Sequence, residues 1–491
     1  MGDFRADKYP MNKPTRHNSG FCLAAFALLS LISATKTLAQ DFPTGKVIEK
    51  VTCQKDASQS YALYLPASYT AARRWPILYA FDPGARGVLP VERFKEAAEK
   101  FGYIVVGSNN SRNGAGVKLS EIIPMLLEDT TTRLAVDDSR AYTTGFSGGA
   151  RVASMVASWA QGKIAGVIGC GAGFSPEIKP SKDLPFFFYG IAGSEDFNLI
   201  EVRRLVRTLD SLGATARIAE FEGEHSWPPV AACTEAVEWL ELQTMKTNRR
   251  ARDEKFIAEA FAKRVERATK NETAQTTFDA YLKFDALAKD FQGLANTAEF
   301  AAKAERLKPS KEVKEGFKQQ KQEEQLQEKY LRDFFATRER LKSEDNRNVV
   351  LQDLRAMVGD LRKKAENAAP GTDRIVARRT LSNLRVMLNE EAAQQRFQKR
   401  FSELAATLAL ATEIRPNNPQ TFFALARAQS LAGQKREAIE ALKKAVEKGF
   451  NNAEELKTNP DLEPIRNDKA FTQLIESASK KAPIPNGDRN E

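Results

Sequence analysis

A short glycine-rich segment in the first half of the chain carries the residue best placed to act as a nucleophile. Ser147 stands at the centre of the sequence Gly-Phe-Ser-Gly-Gly over residues 145–149, after an apolar run and before a helical pattern. A serine between a strand and a helix is held on a sharp, strained turn with its hydroxyl exposed. The positions two before and two after the serine must then be nearly free of side chains. Such a motif also arises by chance, and the alternative is a glycine-rich packing turn.

A serine hydroxyl is a weak nucleophile that needs a general base, and histidines are scarce in this chain. There are two, His17 and His225, and His225 follows the last strand pattern. We therefore predict His225 as the base, the alternative being a structural histidine. An imidazole base needs a carboxylate that orients it and stabilises its cation. Asp196, just after a strand pattern, is the predicted carboxylate. Glu195 is the neighbour that could replace it, and the alternative is that both are solvated loop acids.

Negative charge develops on the carbonyl oxygen when a serine attacks it, and two N–H groups are needed to hold this oxyanion. Gly148, the residue after the nucleophile, is predicted to supply one. The second is expected from the loop that follows the strand ending at Phe81. Pro83 in that loop has no N–H, so Gly84 or Ala85 must supply it, and Gly84 is our prediction.

Two side chains are predicted to bind a substrate. Arg112 lies in the Asn- and Ser-rich segment 108–113, after a strand, and could bind a carboxylate or phosphate. A hydrogen-bonded Asn/Ser turn is an equally good interpretation of that segment. Trp227, close to His225, could form an aromatic wall, although an aromatic residue near a pocket more often serves packing. No cofactor is predicted, and no Cys/His cluster has the spacing of zinc ligands.

Residues 46–245 alternate short apolar runs with helical patterns, which predicts an α/β domain: a mostly parallel sheet with helices on both faces. The predicted strands cover residues 61–65, 76–81, 103–106, 141–144, 164–168, 186–189 and 216–221. The predicted helices cover residues 91–101, 121–131, 151–161 and 199–212. Ser147, Asp196 and His225 each follow one of the predicted strands.

At these residues the chain resembles the α/β-hydrolase superfamily, and within it the secreted polyhydroxybutyrate-depolymerase-like and feruloyl-esterase-like branch. The resemblance rests on residues 145–149 and on His-Ser-Trp-Pro at 225–228, and it covers the predicted α/β domain. The chain order Ser, Asp, His is that of the superfamily. The resemblance implies a doubly wound sheet, a Ser-His-Asp triad and ester hydrolysis through an acyl-enzyme. The branch usually has His-Gly in the loop after the third strand, where this chain has Asp82-Pro83.

Residues 1–39 have the order of a cleavable secretory signal peptide. Basic residues precede an apolar run from Phe21 to Ala34, and Thr37-Leu38-Ala39 places a small residue at each end of a triplet. Cleavage after Ala39 predicts a secreted or periplasmic protein that keeps no membrane span. The alternative is an uncleaved anchor.

Export places the chain in an oxidising compartment, where cysteines can pair. Cys53, Cys170 and Cys233 remain after cleavage, so at most one internal disulfide forms. Cys170 follows an apolar run and is predicted to be a small buried hydrophobe. We favour Cys53 with Cys233, although sequence alone does not determine the pairing.

From residue 246 onward the composition becomes rich in Ala, Glu, Lys, Leu, Arg and Gln, which predicts an all-helical half. We divide it into a helical region at 250–400, repeat-like helices at 401–480 and a disordered tail at 481–491. The segment 419–450 resembles a tetratricopeptide repeat, and a weaker repeat precedes it. Its signature positions are Phe422, Leu425, Ala426, Gly433, Ala438 and Ala445. A single repeat cannot bury its core, so neighbouring helices must stack on it.

The formal net charge of +10 lies in the helical half, because residues 1–244 hold 26 basic and 26 acidic residues. Nucleic acid is excluded as a partner, since acids are interspersed and no recognition motif occurs. We predict a secreted serine hydrolase of small-molecule or polymer carboxylic esters, with a helical half that binds a protein partner. The alternatives are a serine peptidase, which shares the triad chemistry, and a non-catalytic scaffold, which the intact triad disfavours.

Overall fold

The chain forms two compact units. A computed structural model describes residues 42–114, 116–269, 276–342, 347–369 and 371–479. The first unit comprises the residues up to Ser194 and Asn198–Lys308; the second comprises Glu195–Phe197 and the residues from Pro309 onward. The first unit thus extends beyond the predicted end of the α/β domain at residue 245. The predicted signal peptide and the predicted tail at 481–491 lie outside the described residues.

The first unit contains one eight-stranded mixed sheet. Its strands are β1 (Val47–Thr52), β2 (Ser60–Tyr64), β3 (Trp75–Phe81), β4 (Ile104–Ser108), β5 (Val136–Phe146), β6 (Ile164–Cys170), β7 (Phe187–Gly193) and β8 (Ala216–Phe221). Their order across the sheet is β1-β2-β4-β3-β5-β6-β7-β8. The pairs β1–β2 and β2–β4 are antiparallel, and the other neighbours are parallel. All seven predicted strands form.

Eight helices accompany this sheet in the described part of the first unit. They are α1 (Val88–Phe101), α2 (Leu119–Arg133), α3 (Gly148–Trp159), α4 (Leu199–Ser211), α5 (Val230–Lys246), α6 (Glu254–Thr269), α7 (Thr277–Phe291) and α8 (Ala298–Leu307). Apolar residues of α1 and α5 pack on one face of the sheet. Those of α2, α3 and α4 pack on the other face. The predicted α/β class, with helices on both faces, is confirmed.

The strand order reverses at β3, which is the topological switch point of the sheet. From β3 the chain passes to β4 on one side and then to β5 on the other, so β3 lies between them. In a doubly wound sheet, ligands bind outside the carboxyl ends of the strands at such a switch point. The loops that follow β3, β4 and β5 meet there, and the loop after β5 is the turn that carries Ser147.

A buried carboxylate joins α5 to the sheet. Glu241 is fully buried and accepts hydrogen bonds from the hydroxyl of Tyr103 and from Arg250. Arg140 Nη2 donates to Glu241 Oε1 at 2.6 Å. Because two guanidinium groups and a hydroxyl surround it, the buried charge is compensated.

The favoured disulfide does not form. Cys53 and Cys233 are buried free thiols, and they belong to the apolar clusters on opposite faces of the sheet. A disulfide requires Cα atoms within about 7 Å, which a pair separated by the sheet does not satisfy. Cys170 is buried in β6 within the second of these clusters, as predicted.

The regular secondary structure described in the second unit is entirely helical. Its helices are α9 (Lys311–Glu339), α10 (Arg347–Asn367), α11 (Thr372–Phe397), α12 (Phe401–Ile414), α13 (Pro419–Leu431), α14 (Lys435–Glu447), α15 (Ala453–Thr458) and α16 (Lys469–Ser479), with 3₁₀ turns at Arg340–Lys342 and Pro460–Ile465. The predicted all-helical character is confirmed. None of the helices described in either unit is long and apolar enough to cross a membrane.

Helices α13 and α14 form an antiparallel pair around Gly433. Its φ of 76° lies in the left-handed region, which glycine adopts at low cost. Ala426, Ala438 and Ala445 are fully buried, so the two helices approach closely at small residues. The rings of Phe423 and Phe450 stack at 4.2 Å. The resemblance of this pair to a tetratricopeptide repeat stays a prediction.

Candidate active site

The turn at Ser147 has the tightness that the sequence predicted. Strand β5 ends at Phe146, helix α3 begins at Gly148, and Ser147 between them has φ 52° and ψ −119°. A Cβ at Gly145 would lie 2.1 Å from the Gly149 carbonyl oxygen. A Cβ at Gly149 would lie 1.9 Å from the carbonyl oxygen of Phe81. Side chains are thus excluded on both sides of Ser147, which is itself half-buried.

The loop after β8 brings His225 beside this turn. The imidazole of His225 lies 4.5 Å from the ring of Phe146, centroid to centroid and tilted by 40°. Phe146 directly precedes Ser147, so the single histidine among the described residues contacts the residue before the candidate nucleophile. His225 is half-buried.

The end of β7 is tied to the loop that carries His225. The Ser194 N–H donates to the Phe221 carbonyl at 2.7 Å. A Cβ at Gly193 would lie 2.3 Å from the carbonyl oxygen of Gly223, so the two loops touch through their backbones. The predicted carboxylate, Asp196, follows two residues after Ser194 and is fully buried. It is therefore not a solvated loop acid.

Glu195, the alternative carboxylate, is already paired within the second unit. Arg378 Nη1 donates to Glu195 Oε1 at 2.7 Å. In the same short segment, Gln327 Nε2 donates to the carbonyl of Phe197 at 2.8 Å in a buried position. Two side chains of the helical unit thus hold the residues on either side of Asp196.

Asp82 organises the loop after β3. Its fully buried carboxylate accepts from Arg86 Nε at 2.8 Å and from Trp227 Nε1 at 2.8 Å. The Gly84 N–H also donates to Asp82 Oδ1, at 2.8 Å. Burial alone raises the pKa of Asp82, but the hydrogen bonds from Arg86, Trp227 and Gly84 outweigh it and hold the pKa below its ordinary value. Gly84, the predicted oxyanion donor, therefore has its N–H engaged inside the loop.

Trp227 supports the loops rather than presenting a surface. Only 5% of it is exposed, and its ring packs against Phe146 at 5.7 Å and Phe94 at 6.5 Å. With its indole N–H on Asp82, it connects the loop after β8 to the loop after β3. The packing interpretation of Trp227 fits this environment, and little of its ring is available to a substrate.

The loop after β4 combines a hydrogen-bonded turn with two exposed side chains. Ser108 Oγ accepts from the Ser111 N–H at 3.0 Å, and Asn110 Oδ1 accepts from the Ser60 N–H at 2.8 Å. Arg112 is exposed, and its backbone bridges to Gly84. Asn113, also exposed, donates its N–H to the Pro83 carbonyl at 2.8 Å. The hydrogen-bonded turn predicted as the alternative is present, and Arg112 stays a predicted substrate contact.

Sequence reasoning missed the central role of Asp82. A signal was present, because an acid that directly follows an apolar strand and precedes an arginine by four residues is placed for an ion pair. The contact between Phe146 and His225 had no such signal, since it depends on how β5 and β8 lie in the sheet. Among the described residues no cluster of His, Cys, Asp and Glu could hold a metal ion.

Several solved esterases and related hydrolases are similar to part of this chain. An esterase from Pyrobaculum calidifontis is 14% identical with a TM-score of 0.34, and covers 46% of this chain and 92% of its own. A ferulic acid esterase is 15% identical with a TM-score of 0.33, and covers 40% of this chain and 96% of its own. An S-formylglutathione hydrolase from Staphylococcus aureus is 12% identical with a TM-score of 0.33, and covers 40% of this chain and 98% of its own.

No protein-family profile matches the sequence, and no curated protein is significantly similar to it. The assignment of the fold accordingly rests on the strand order and the two helical layers.

Proposed function

We propose that this protein is a serine hydrolase that cleaves carboxylic esters. The observation that carries the proposal is the contact of the His225 imidazole with the ring of Phe146, the residue directly before Ser147 on its strained turn. The backbone of Ser147, at φ 52° and ψ −119°, is in a conformation that costs about 1–3 kcal/mol and that is concentrated at functional sites. The switch point of the sheet adds support, because ligands of doubly wound sheets bind there.

In the proposed reaction Ser147 Oγ attacks the ester carbonyl while His225 takes its proton. Asp196 orients the imidazole and stabilises its cation. The Gly148 N–H at the start of α3 holds the oxyanion, and the positive end of the helix adds to this stabilisation. Gly84 can join Gly148 only if its N–H leaves the Asp82 carboxylate. Water then releases the acyl group from the serine.

The basic test measures hydrolysis of p-nitrophenyl butyrate by the chain without residues 1–39. Ser147→Ala and His225→Gln should each lower kcat by about 10⁴-fold or more, because triad members act as one unit. Both variants should keep the circular dichroism spectrum of the wild type. Turnover that survives Ser147→Ala would refute the proposed nucleophile.

A matched pair of variants tests the carboxylate. Asp196→Asn should lower kcat by about 10⁴-fold, since an amide cannot stabilise the imidazolium. Glu195→Gln alters the adjacent acid, which pairs with Arg378, and should leave kcat within a few-fold of the wild type. Loss of activity in Glu195→Gln alone would transfer the role to Glu195.

The alternatives from the sequence are tested with the same protein. A serine peptidase would cleave p-nitroanilide peptides with a kcat/KM comparable to that for the ester. A scaffold would show no Ser147-dependent turnover of either substrate while remaining folded.

A further inference from the structure

In the loop after β3, the N–H groups that could serve as the second oxyanion donor are already hydrogen-bonded within the loop. The Gly84 N–H donates to Asp82 Oδ1 at 2.8 Å, and the Ala85 N–H donates to the Asp82 carbonyl at 3.1 Å. Pro83 has no N–H. Withdrawing Gly84 from the buried carboxylate would remove one of the bonds that compensate its charge, which is costly away from water. We therefore expect the second oxyanion donor to come from another loop.

The side chain of Asn113 lies directly against Gly148, whose N–H is the predicted first donor. If Gly148 had a Cβ, that atom would lie 1.9 Å from Oδ1, 2.7 Å from Cγ and 2.8 Å from Nδ2 of Asn113. The carboxamide thus fills the space that the missing side chain leaves open. The Asn113 N–H, bonded to the Pro83 carbonyl, fixes the backbone of Asn113 in this position.

The carboxamide of Asn113 is also available to a substrate. It is exposed, and within the described part of the chain no protein atom makes a hydrogen bond to it. The torsion that turns an amide group is broad and roughly two-fold, so rotation exchanges Oδ1 and Nδ2 at little cost. Because the backbone is fixed, this rotation presents an N–H donor beside Gly148 without moving the loop.

We propose that Nδ2 of Asn113 is the second oxyanion donor, in place of a backbone N–H from the loop after β3. The inference rests on the proposed ester hydrolysis. As the bond from Ser147 Oγ to the carbonyl carbon forms, the serine proton passes to His225 and the carbonyl π electrons move onto oxygen. Gly148 N–H and Asn113 Nδ2–H bind that oxyanion. When the electron pair returns, the bond to the alcohol breaks, and the alcohol leaves with the proton from His225.

Two substitutions at Asn113 distinguish hydrogen-bond donation by its side chain from an effect of the side chain's shape alone. Asn113→Ala removes the donor and should lower kcat for p-nitrophenyl butyrate by about 10²–10³-fold with little change in KM. Asn113→Asp keeps the shape but puts a carboxylate beside the oxyanion, so its kcat should fall further. Inhibition by phenylboronic acid, which forms a tetrahedral adduct on serine, should weaken by a similar factor in Asn113→Ala. Asn417→Ala, an exposed asparagine in the helical unit, is the control and should keep wild-type kcat.

The outcomes distinguish the two proposals. A wild-type enzyme with Ser147-dependent turnover, together with Asn113→Ala within about threefold of wild-type kcat, would overturn the role of Asn113 alone and favour Gly84. Equal kcat in Asn113→Asp and wild type would also overturn the role of Asn113. A folded wild type without Ser147-dependent turnover would overturn ester hydrolysis and this inference together. Circular dichroism and urea unfolding check that the variants are folded.

Discussion

Replacing Gly149 with alanine tests whether the turn at Ser147 has room for a side chain. The added Cβ would lie 1.9 Å from the Phe81 carbonyl oxygen and 2.6 Å from its carbonyl carbon. Non-bonded carbon atoms pack at about 3.5–4.0 Å, so the end of β3 must move from α3 by about 1 Å or more. Overpacking of this kind costs about 1–3 kcal/mol in the free energy of unfolding. Because a shift of about 1 Å in catalytic groups can cost about 100-fold in rate, we expect kcat to fall by that factor.

The assay combines kcat for p-nitrophenyl butyrate with the free energy of unfolding from urea titration. Gly359→Ala is the matched control, because Gly359 lies within α10 and a Cβ there meets no neighbouring atom within 4 Å. Alanine is the better helix former, so this control should gain up to about 1 kcal/mol and keep wild-type kcat. A Gly149→Ala variant with the wild-type unfolding free energy and kcat would show that the turn has room for a side chain.

Three further predictions concern buried groups of the first unit. Glu241→Gln leaves two guanidinium groups without their carboxylate and should lower the free energy of unfolding by about 3–5 kcal/mol in urea titration; a loss below about 1 kcal/mol would contradict it. Asp82→Asn should cost about 1.5–3 kcal/mol at pH 7. The pKa of Asp82 is lowered in the folded protein, so its ionised form stabilises the fold above its ordinary pKa. This stabilisation is lost as the pH falls through the folded-state pKa, and the difference in unfolding free energy between Asp82→Asn and wild type should therefore shrink below about pH 4. A difference that does not change with pH would exclude this linkage. Burial raises the pKa of Cys53 to about 11 and that of Cys233 to about 12. Neither thiol should therefore react with Ellman's reagent at pH 8 before the protein unfolds. Rapid labelling of either cysteine in the native protein would show that it is not buried.

The sheet and the turn at Ser147 could be predicted from sequence because their signals are local. Apolar runs mark β2 to β8, and glycine at 145 reflects a steric requirement within the turn itself, whereas the requirement at Gly149 comes from the end of β3. Strand β1 gave no such signal, since only Val51 in it is buried. The start of β5 was missed because Asp137, Asp138 and Ser139 interrupt its apolar pattern.

The contacts between loops could not be predicted in the same way, because they depend on which strands become neighbours. The engagement of Gly84 by Asp82 and the burial of Trp227 both follow from the meeting of the loops after β3 and β8. The separation of Cys53 from Cys233 likewise depends on which face of the sheet each occupies. The residue types indicated a serine nucleophile and its base, whereas the order of the strands in the sheet determined which loops come into contact.

Labelling with a fluorophosphonate, followed by mapping of the modified peptide by mass spectrometry, shows whether Ser147 is an activated nucleophile. We expect one phosphonyl group per chain, on Ser147, and much slower labelling when His225 is replaced by glutamine. Labelling of a different serine, or none between pH 6 and 9 on a protein shown to be folded, would contradict it.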